Sequence, residues 1–102
     1  MELIGCYRIS VYVPADVLKS FIAKVSPQIP SFLGNYDHVC WWSDQGSEQY
    51  RHKHGEKIEC NPSHRVEIIV PQNDEELQKF IEDVIHPWEE PVITFSTQKI
   101  VG

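Results

Sequence analysis

The residues of this chain that are equipped for chemistry fall into three clusters. Gly34-Asn35-Tyr36-Asp37-His38-Val39-Cys40-Trp41-Trp42 carries a carboxylate, an imidazole and a thiol beside three aromatics. On a strand, His38 and Cys40 share a face, so a Cys–His contact is one reading. Nucleophilic catalysis also needs a cleft and an oxyanion donor, which no residue here advertises. The plainer reading is that Asp37 and His38 hydrogen-bond a neighbouring strand or subunit. A second cluster is His52 and His54, which project from one face if extended, with Cys60 and His64 on the returning segment. Imidazole and thiolate suit zinc or copper, and a site needs about four such ligands. His-x-His with no second fixed pair is also common on a solvated loop, which is the competing reading. The third cluster is His86-Pro87-Trp88-Glu89-Glu90-Pro91. Adjacent carboxylates diverge in an extended segment, which disfavours a shared acid–base role for Glu89 and Glu90. There the prolines stiffen a turn, Trp88 packs on a helix end, and the two glutamates cap or meet a basic partner. No glycine-rich phosphate loop is present, so nucleotide binding has no motif of its own.

The chain that must position these groups has 102 residues, enough for one core. Its hydrophobic fraction of 41% and charged fraction of 24% are those of an ordinary globular protein. A formal charge of -6 argues against a nucleic-acid role, which needs clustered Lys and Arg against phosphate, and reads as solubility. Cys6, Cys40 and Cys60 are odd in number and lack CxxC spacing. The first ten residues, with Glu2 and Arg8, lack the apolar centre of a signal peptide. No apolar run approaches the roughly 20 residues that span a bilayer. The expectation is a cytoplasmic protein with reduced thiols and no membrane partner.

Residues 4 to 13 alternate. Tyr7, Ile9, Val11 and Val13 point one way, and Cys6, Arg8, Ser10 and Tyr12 the other, predicting a strand ended by Pro14. Val17, Leu18, Phe21, Ile22 and Val25 form one helical stripe over 16–25. Gly34-Asn35, residues suited to left-handed dihedrals, launch a second strand over about 36–43. Residues 44–62 read either as a small hairpin turning at His54-Gly55 or as a mobile loop. Arg65 to Val70 is a third strand with Val66, Ile68 and Val70 on one face. Asn73-Asp74-Glu75-Glu76 carries the helix-capping pattern, followed by the stripe Leu77, Phe80, Ile81, Val84 and Ile85, with Pro87 as terminator. Residues 92–100 form the last strand, with Ile93 and Phe95 inward. The order βαββαβ predicts an α+β, ferredoxin-like sandwich: a four-stranded antiparallel sheet with two helices on one face.

That architecture leaves one sheet face bare. Arg8, Ser10, Tyr12, Arg65, Glu67, Ile69, Thr94 and Ser96 fall on it. Trp41 and Trp42 point oppositely, so one must leave the core, and Trp42 is assigned to the bare face. Tyr12, a tryptophan and Ile69 side by side make a patch too large for a monomer, whose largest patches run to about 300–600 Å². A homo-oligomeric interface through Arg8, Tyr12, Trp42, Arg65 and Glu67 is therefore expected, with Arg8, Arg65, Asp37 and Glu67 pairing across it.

Gly34-Asn35-Tyr36-Asp37-His38, then Arg65-Val66-Glu67 opening a strand, then His86-Pro87-Trp88-Glu89-Glu90-Pro91 resemble the PII/CutA-like domain of the Nif-three-like (NGG-interacting-factor) family over nearly the whole chain. In long members of that family the domain is inserted into a dinuclear-metal domain, and this chain looks like one of the short members made of the inserted domain alone. The resemblance implies the ferredoxin-like fold and a trimer-like assembly. It also implies a non-enzymatic ligand-binding or regulatory role, with Asn35, Tyr36, Asp37, His38, His86, Glu89 and Glu90 lining a small-molecule cleft between subunits. The alternatives are a CutA-like divalent-metal binder using His52, His54, Cys60 and His64, or the nucleotide-hydrolysing activity with which long members are labelled, whose metal ligands belong to the other domain. The chain departs from the family in three ways: Val39 stands where Cys commonly follows His38, Trp88 replaces a usual Tyr, and the loop between the second and third strands is shorter and richer in His.

Overall fold

The alternating segment Leu3–Pro14 forms β1, the strand that joins the two halves of the molecule. The structure, a computed structural model, describes residues 1–31, 34–88 and 93–102. Further strands are β2 (Trp41–Trp42), β3 (Gly46–Tyr50), β4 (Glu59–Pro71) and β5 (Ile93–Val101). The α-helices are α1 (Leu18–Val25) and α2 (Asp74–Phe80). The sheet runs β2-β4-β1-β5, with β3 also on β4, and every pairing is antiparallel. A helix in each crossover, β1 to β2 and β4 to β5, makes this the ferredoxin-like topology.

The core lies between one sheet face and the helices. Ile9, Val11, Val66, Ile68 and Val70 are buried from the sheet, and Phe21, Val25, Leu77, Phe80 and Ile85 from the helical layer. Complete burial of one such side chain contributes about 1.5–3 kcal/mol, so the period-2 and period-3.6 patterns are what select the face each element presents. Pro14 opens a 3-10 turn, Ala15–Val17, that leads into α1. Asn73 caps α2, its Oδ1 accepting from the Glu76 backbone N–H at 3.0 Å. The helix widens into a π turn at Ile81–Ile85, and a 3-10 turn, His86–Trp88, follows. Pro87 thus sits inside that last turn, and the Trp88 ring packs edge-on against Phe21 at 5.5 Å.

Several expectations change. The sheet has five strands rather than four, because the expected strand over 36–43 pairs only at Trp41–Trp42 and its continuation is β3. Trp42 opposes Val66 and Gly46 opposes Ser63, so three residues, 43 to 45, face two, Arg65 and His64. One extra residue on one strand is a β-bulge, and Ser43 pins it: its N–H donates to the Arg65 carbonyl and its Oγ accepts from the Arg65 N–H, each at 2.9 Å. Of the two readings of 44–62, the hairpin is observed, longer than expected, with Tyr50 opposite Glu59 and a turn closed by Gly55 N–H on the His52 carbonyl at 2.8 Å. His54 takes φ 68 in that turn. Thirteen residues of β4 at about 3.3 Å each outrun the helical layer, in keeping with a molecule 53 Å long and 24 Å across. Phe95 opposes Ile9 and so lies on the helix side, yet it is 55% exposed, because β5 is an edge strand.

Register also corrects the tryptophans. Trp41 opposes Glu67 and therefore stands on the bare face, whereas Trp42 opposes Val66 on the helix side, where it remains 46% exposed. The assignment of Trp42 to the bare face is overturned in favour of Trp41. Among the described residues, no helix is long and apolar enough to cross a membrane.

Candidate functional site

Because β2 covers only two positions of β4, the chain before it leaves the sheet. Gly34 turns in the left-handed region at φ 59, and Ser31 Oγ donates to the Tyr36 carbonyl at 3.2 Å. Residues 36–40 then stand off from the rest of β4. Between them and the sheet lies a cavity of about 620 Å³, inside the roughly 300–1,000 Å³ of ordinary small-molecule sites. Its apolar walls are Ile29 and Pro30 from the connection after α1, Val39 and Trp41 from the approach to β2, and Ile69 from β4.

Two polar groupings face this space. On the loop wall His38 Nδ1 and Asp37 Oδ1 lie 2.8 Å apart. His38 holds φ 58, a left-handed conformation that costs a non-glycine residue on the order of 1–2 kcal/mol. On the sheet wall, Arg65 and Glu67 share a face by the two-residue period of β4, and Arg8 is the diagonal neighbour of Glu67 on β1. Arg8 Nη1 meets Glu67 Oε2 at 2.8 Å, and Arg65 Nε lies 3.4 Å from Glu67 Oε1. Arg8 Nε also donates to Gln98 Oε1 at 2.9 Å. The Arg65 guanidinium lies over the Trp41 ring, 5.2 Å from its centroid, within cation–π range. The charges expected to pair between subunits therefore pair within one chain. Cys40 closes the site, and burial pushes its thiol pKa up. A thiol held in its protonated form is a poor nucleophile, which removes the main attraction of a Cys–His pair.

Of the residues expected to bind a ligand, Tyr36, Asp37 and His38 line this cavity, and Asn35 precedes them in the turn. His86 does not join them: it occupies the 3-10 turn after α2. A second, open depression near that turn is lined by Pro14, Asn61, Pro62 and Trp88 without it. Glu89 and Glu90 lie outside the described residues. Arg8, Arg65 and Glu67, expected at an interface, form the sheet wall of the cavity, and Tyr12 stands opposite Arg65 on the same face. Ile29, Pro30 and Val39 were not anticipated as lining, and Cys40 was considered only as a partner for His38; Val39 and Cys40 follow the Asp37-His38 pair directly in sequence.

The metal set His52, His54, Cys60 and His64 does not assemble. Among the described residues, no group of three or more His, Cys, Asp or Glu side chains is placed to hold an ion. His52 and His54 sit in the hairpin turn, and His52 Nε2 faces Glu59 at 3.8 Å. His64 Nδ1 is engaged by the Ser43 carbonyl at 2.8 Å in the bulge. Cys60 and His64 are four steps apart on one strand, about 13 Å. Zinc or copper finds no common centre there.

No family model and no curated protein matches the chain. Solved structures do. A Bacillus cereus protein related to NIF3 superposes with a TM-score of 0.71 at 16% identity, covering 100% of this chain and 27% of its own. Staphylococcus aureus protein SA1388 superposes with a TM-score of 0.59 at 18% identity, covering 99% of this chain and 25% of its own. GlnK of B. subtilis overlaps more loosely, with a TM-score of 0.42 at 12% identity over 94% of this chain and 85% of its own. The chain thus has the fold of a segment of a NIF3-related protein and spans about a quarter of the length of the first two.

Proposed function

We propose that this chain is a non-enzymatic, cytoplasmic and oligomeric ligand-binding or regulatory domain of the Nif-three-like kind, and that its small-molecule ligand occupies the cavity between residues 36–40 and β4. The observation that carries this reading is the composition of the walls: apolar side chains surround two convergent polar groupings, Asp37–His38 and Arg8–Glu67–Arg65. A few placed polar groups in a largely apolar concavity is the usual chemistry of a binding site. Catalysis has less support, since Cys40 is kept protonated by burial and Glu67 already engages two guanidiniums. Trp41 lines the cavity and Tyr12, opposite Arg65, shares its bare face, so a second copy laid on that face places the ligand at the seam between subunits. The similarity to NIF3-related structures supports a domain of this kind.

The test is a thermal-shift screen of metabolites on the full chain, followed by backbone amide spectra of each hit. The expected result is a ligand that raises the melting temperature, moves the His38, Val39 and Arg65 resonances, and is recovered chemically unchanged. Turnover of GTP by the isolated chain, or hits that map only to the hairpin at 51–58, would replace this reading with another.

A further inference from the structure

The reading above leaves the ligand's chemistry open, and the hydrogen-bond inventory of the sheet wall narrows it. Glu67 gives one oxygen to each arginine, and its side chain is only 18% exposed. Arg8 has Nε and Nη1 engaged, and Arg65 has Nε engaged. Among the described residues, Arg8 Nη2 and both terminal nitrogens of Arg65 have no side-chain partner. Two guanidiniums against one carboxylate leave this wall one positive charge in excess, with donors to spare. Asp37 is the opposing charge, but its side chain is 71% exposed and already hydrogen-bonded to His38, against 38% and 45% for Arg8 and Arg65, so water screens it more than it screens the sheet wall.

We propose that the cavity takes a small organic monoanion, a carboxylate on an apolar body. The carboxylate lies against the unengaged nitrogens of Arg65 and Arg8, and the body lies against Val39, Ile69 and Trp41. This rests on the cavity being the ligand site. A planar guanidinium held over an indole offers the forked geometry that matches a carboxylate, where a lysine offers only a point charge. A cation would meet two guanidiniums with both oxygens of Glu67 already occupied. A bare inorganic anion would leave the apolar walls unused. The monoanion satisfies the excess charge and the apolar walls together.

The test titrates the full chain with hexanoate, phenylacetate and 2-naphthylacetate, each beside its primary amide and the corresponding amine. Acetate and inorganic phosphate serve as anions without a body, and backbone and arginine Nε resonances are the readout. Expected is binding of at least one acid that moves His38, Val39 and Arg65 signals, with its amide weaker by about tenfold. R65Q weakens the acid about tenfold, and E67Q, which releases donors on both arginines, tightens it. Should amides or amines equal the acids at these resonances, the cavity remains a ligand site and the anion assignment falls. It also falls if R65Q and R8Q both leave the acid's affinity unchanged. Phosphate or acetate binding as tightly as the best acid overturns the apolar body. If no probe moves these resonances, the carboxylate assignment falls, and the metabolite screen decides separately whether the cavity is a ligand site.

Discussion

Among the described residues, Cys40, Cys6 and Tyr7 hold protons more tightly in the folded chain than out of it. Burial pushes the Cys40 thiol up, and the Cys6 thiol likewise, with the Arg8 charge pulling the latter partly back. Tyr7 rises chiefly because its hydroxyl donates to Asp74, and burial and the Asp74 charge add to that. A group with a raised folded pKa binds more protons native than unfolded, so its contribution is complete below the unfolded value and is lost as pH climbs through the folded one. The ordinary values are 9.0 for the thiols and 10.0 for the phenol, so the loss begins near 9 and steepens above 10. Urea midpoints should hold level from about pH 7 to 8.5 and fall beyond that, and Cys40→Ala should flatten the first part of the fall. A midpoint that stays level to pH 11 would mean these protons are held no more tightly in the fold. At this scale the sequence grouped Asp37, His38 and Cys40 in its first chemical cluster, and the three line one cavity. It did not show that Arg8 and Arg65 would serve the same space, since their partnership through Glu67 depends on the register between β1 and β4.

At the scale of elements, the capping of α2 is the most local instruction in the chain. Asn73 at φ -141 and ψ 117 accepts from Glu76 N–H, and Asp74, Glu75 and Glu76 add negative charge at the positive end of the helix. Asn73→Ala should cost about 1 kcal/mol in chemical unfolding, while Asn73→Asp, which keeps the acceptor, should cost little. Equal losses in the two variants would show that the cap's geometry is not what matters. Features of this kind were legible because they are settled within four residues: the cap, the Tyr7 to Val13 alternation, the two helical stripes and the Gly34 turn. What was not legible depends on a partner strand. The aromatic run at 36–42 has strand propensity throughout, yet its first half leaves the sheet. The bulge at 43–45 then shifts the ladder by one residue, and such a shift is visible only against Arg65 and His64. The same dependence explains Trp42. Alternation says that neighbouring indoles diverge, but only the pairing of Trp41 with Glu67 says which one is on the bare face.

At the scale of the whole molecule, the helices lie on one side of the sheet and the other side shows Tyr12 at 40% and Trp41 at 51% exposure, with Ile69 beside Arg8 in the cavity wall. Glu67 meets both arginines within the chain, so those ion pairs do not depend on a second copy, and a copy laid there gains chiefly by covering aromatic surface. Edge strand β5 adds a long pairing edge whose residues, Ile93 to Val101, include no proline and one lysine, with little to discourage another strand. These features together predict self-association, so sedimentation at micromolar concentration should give a mass well above the 11.9 kDa of one chain, about three times it if the trimer implied by the Nif-three-like resemblance is the state adopted. Tyr12→Asp with Trp41→Asp places like charges where the copies would meet and should shift the distribution to monomer while leaving the far-ultraviolet spectrum of the fold in place. If the unmodified chain sediments at its own mass, the bare face is open to water. If the double variant still assembles, contact runs through the β5 edge, and Thr97→Pro at that edge is the substitution that should then release it.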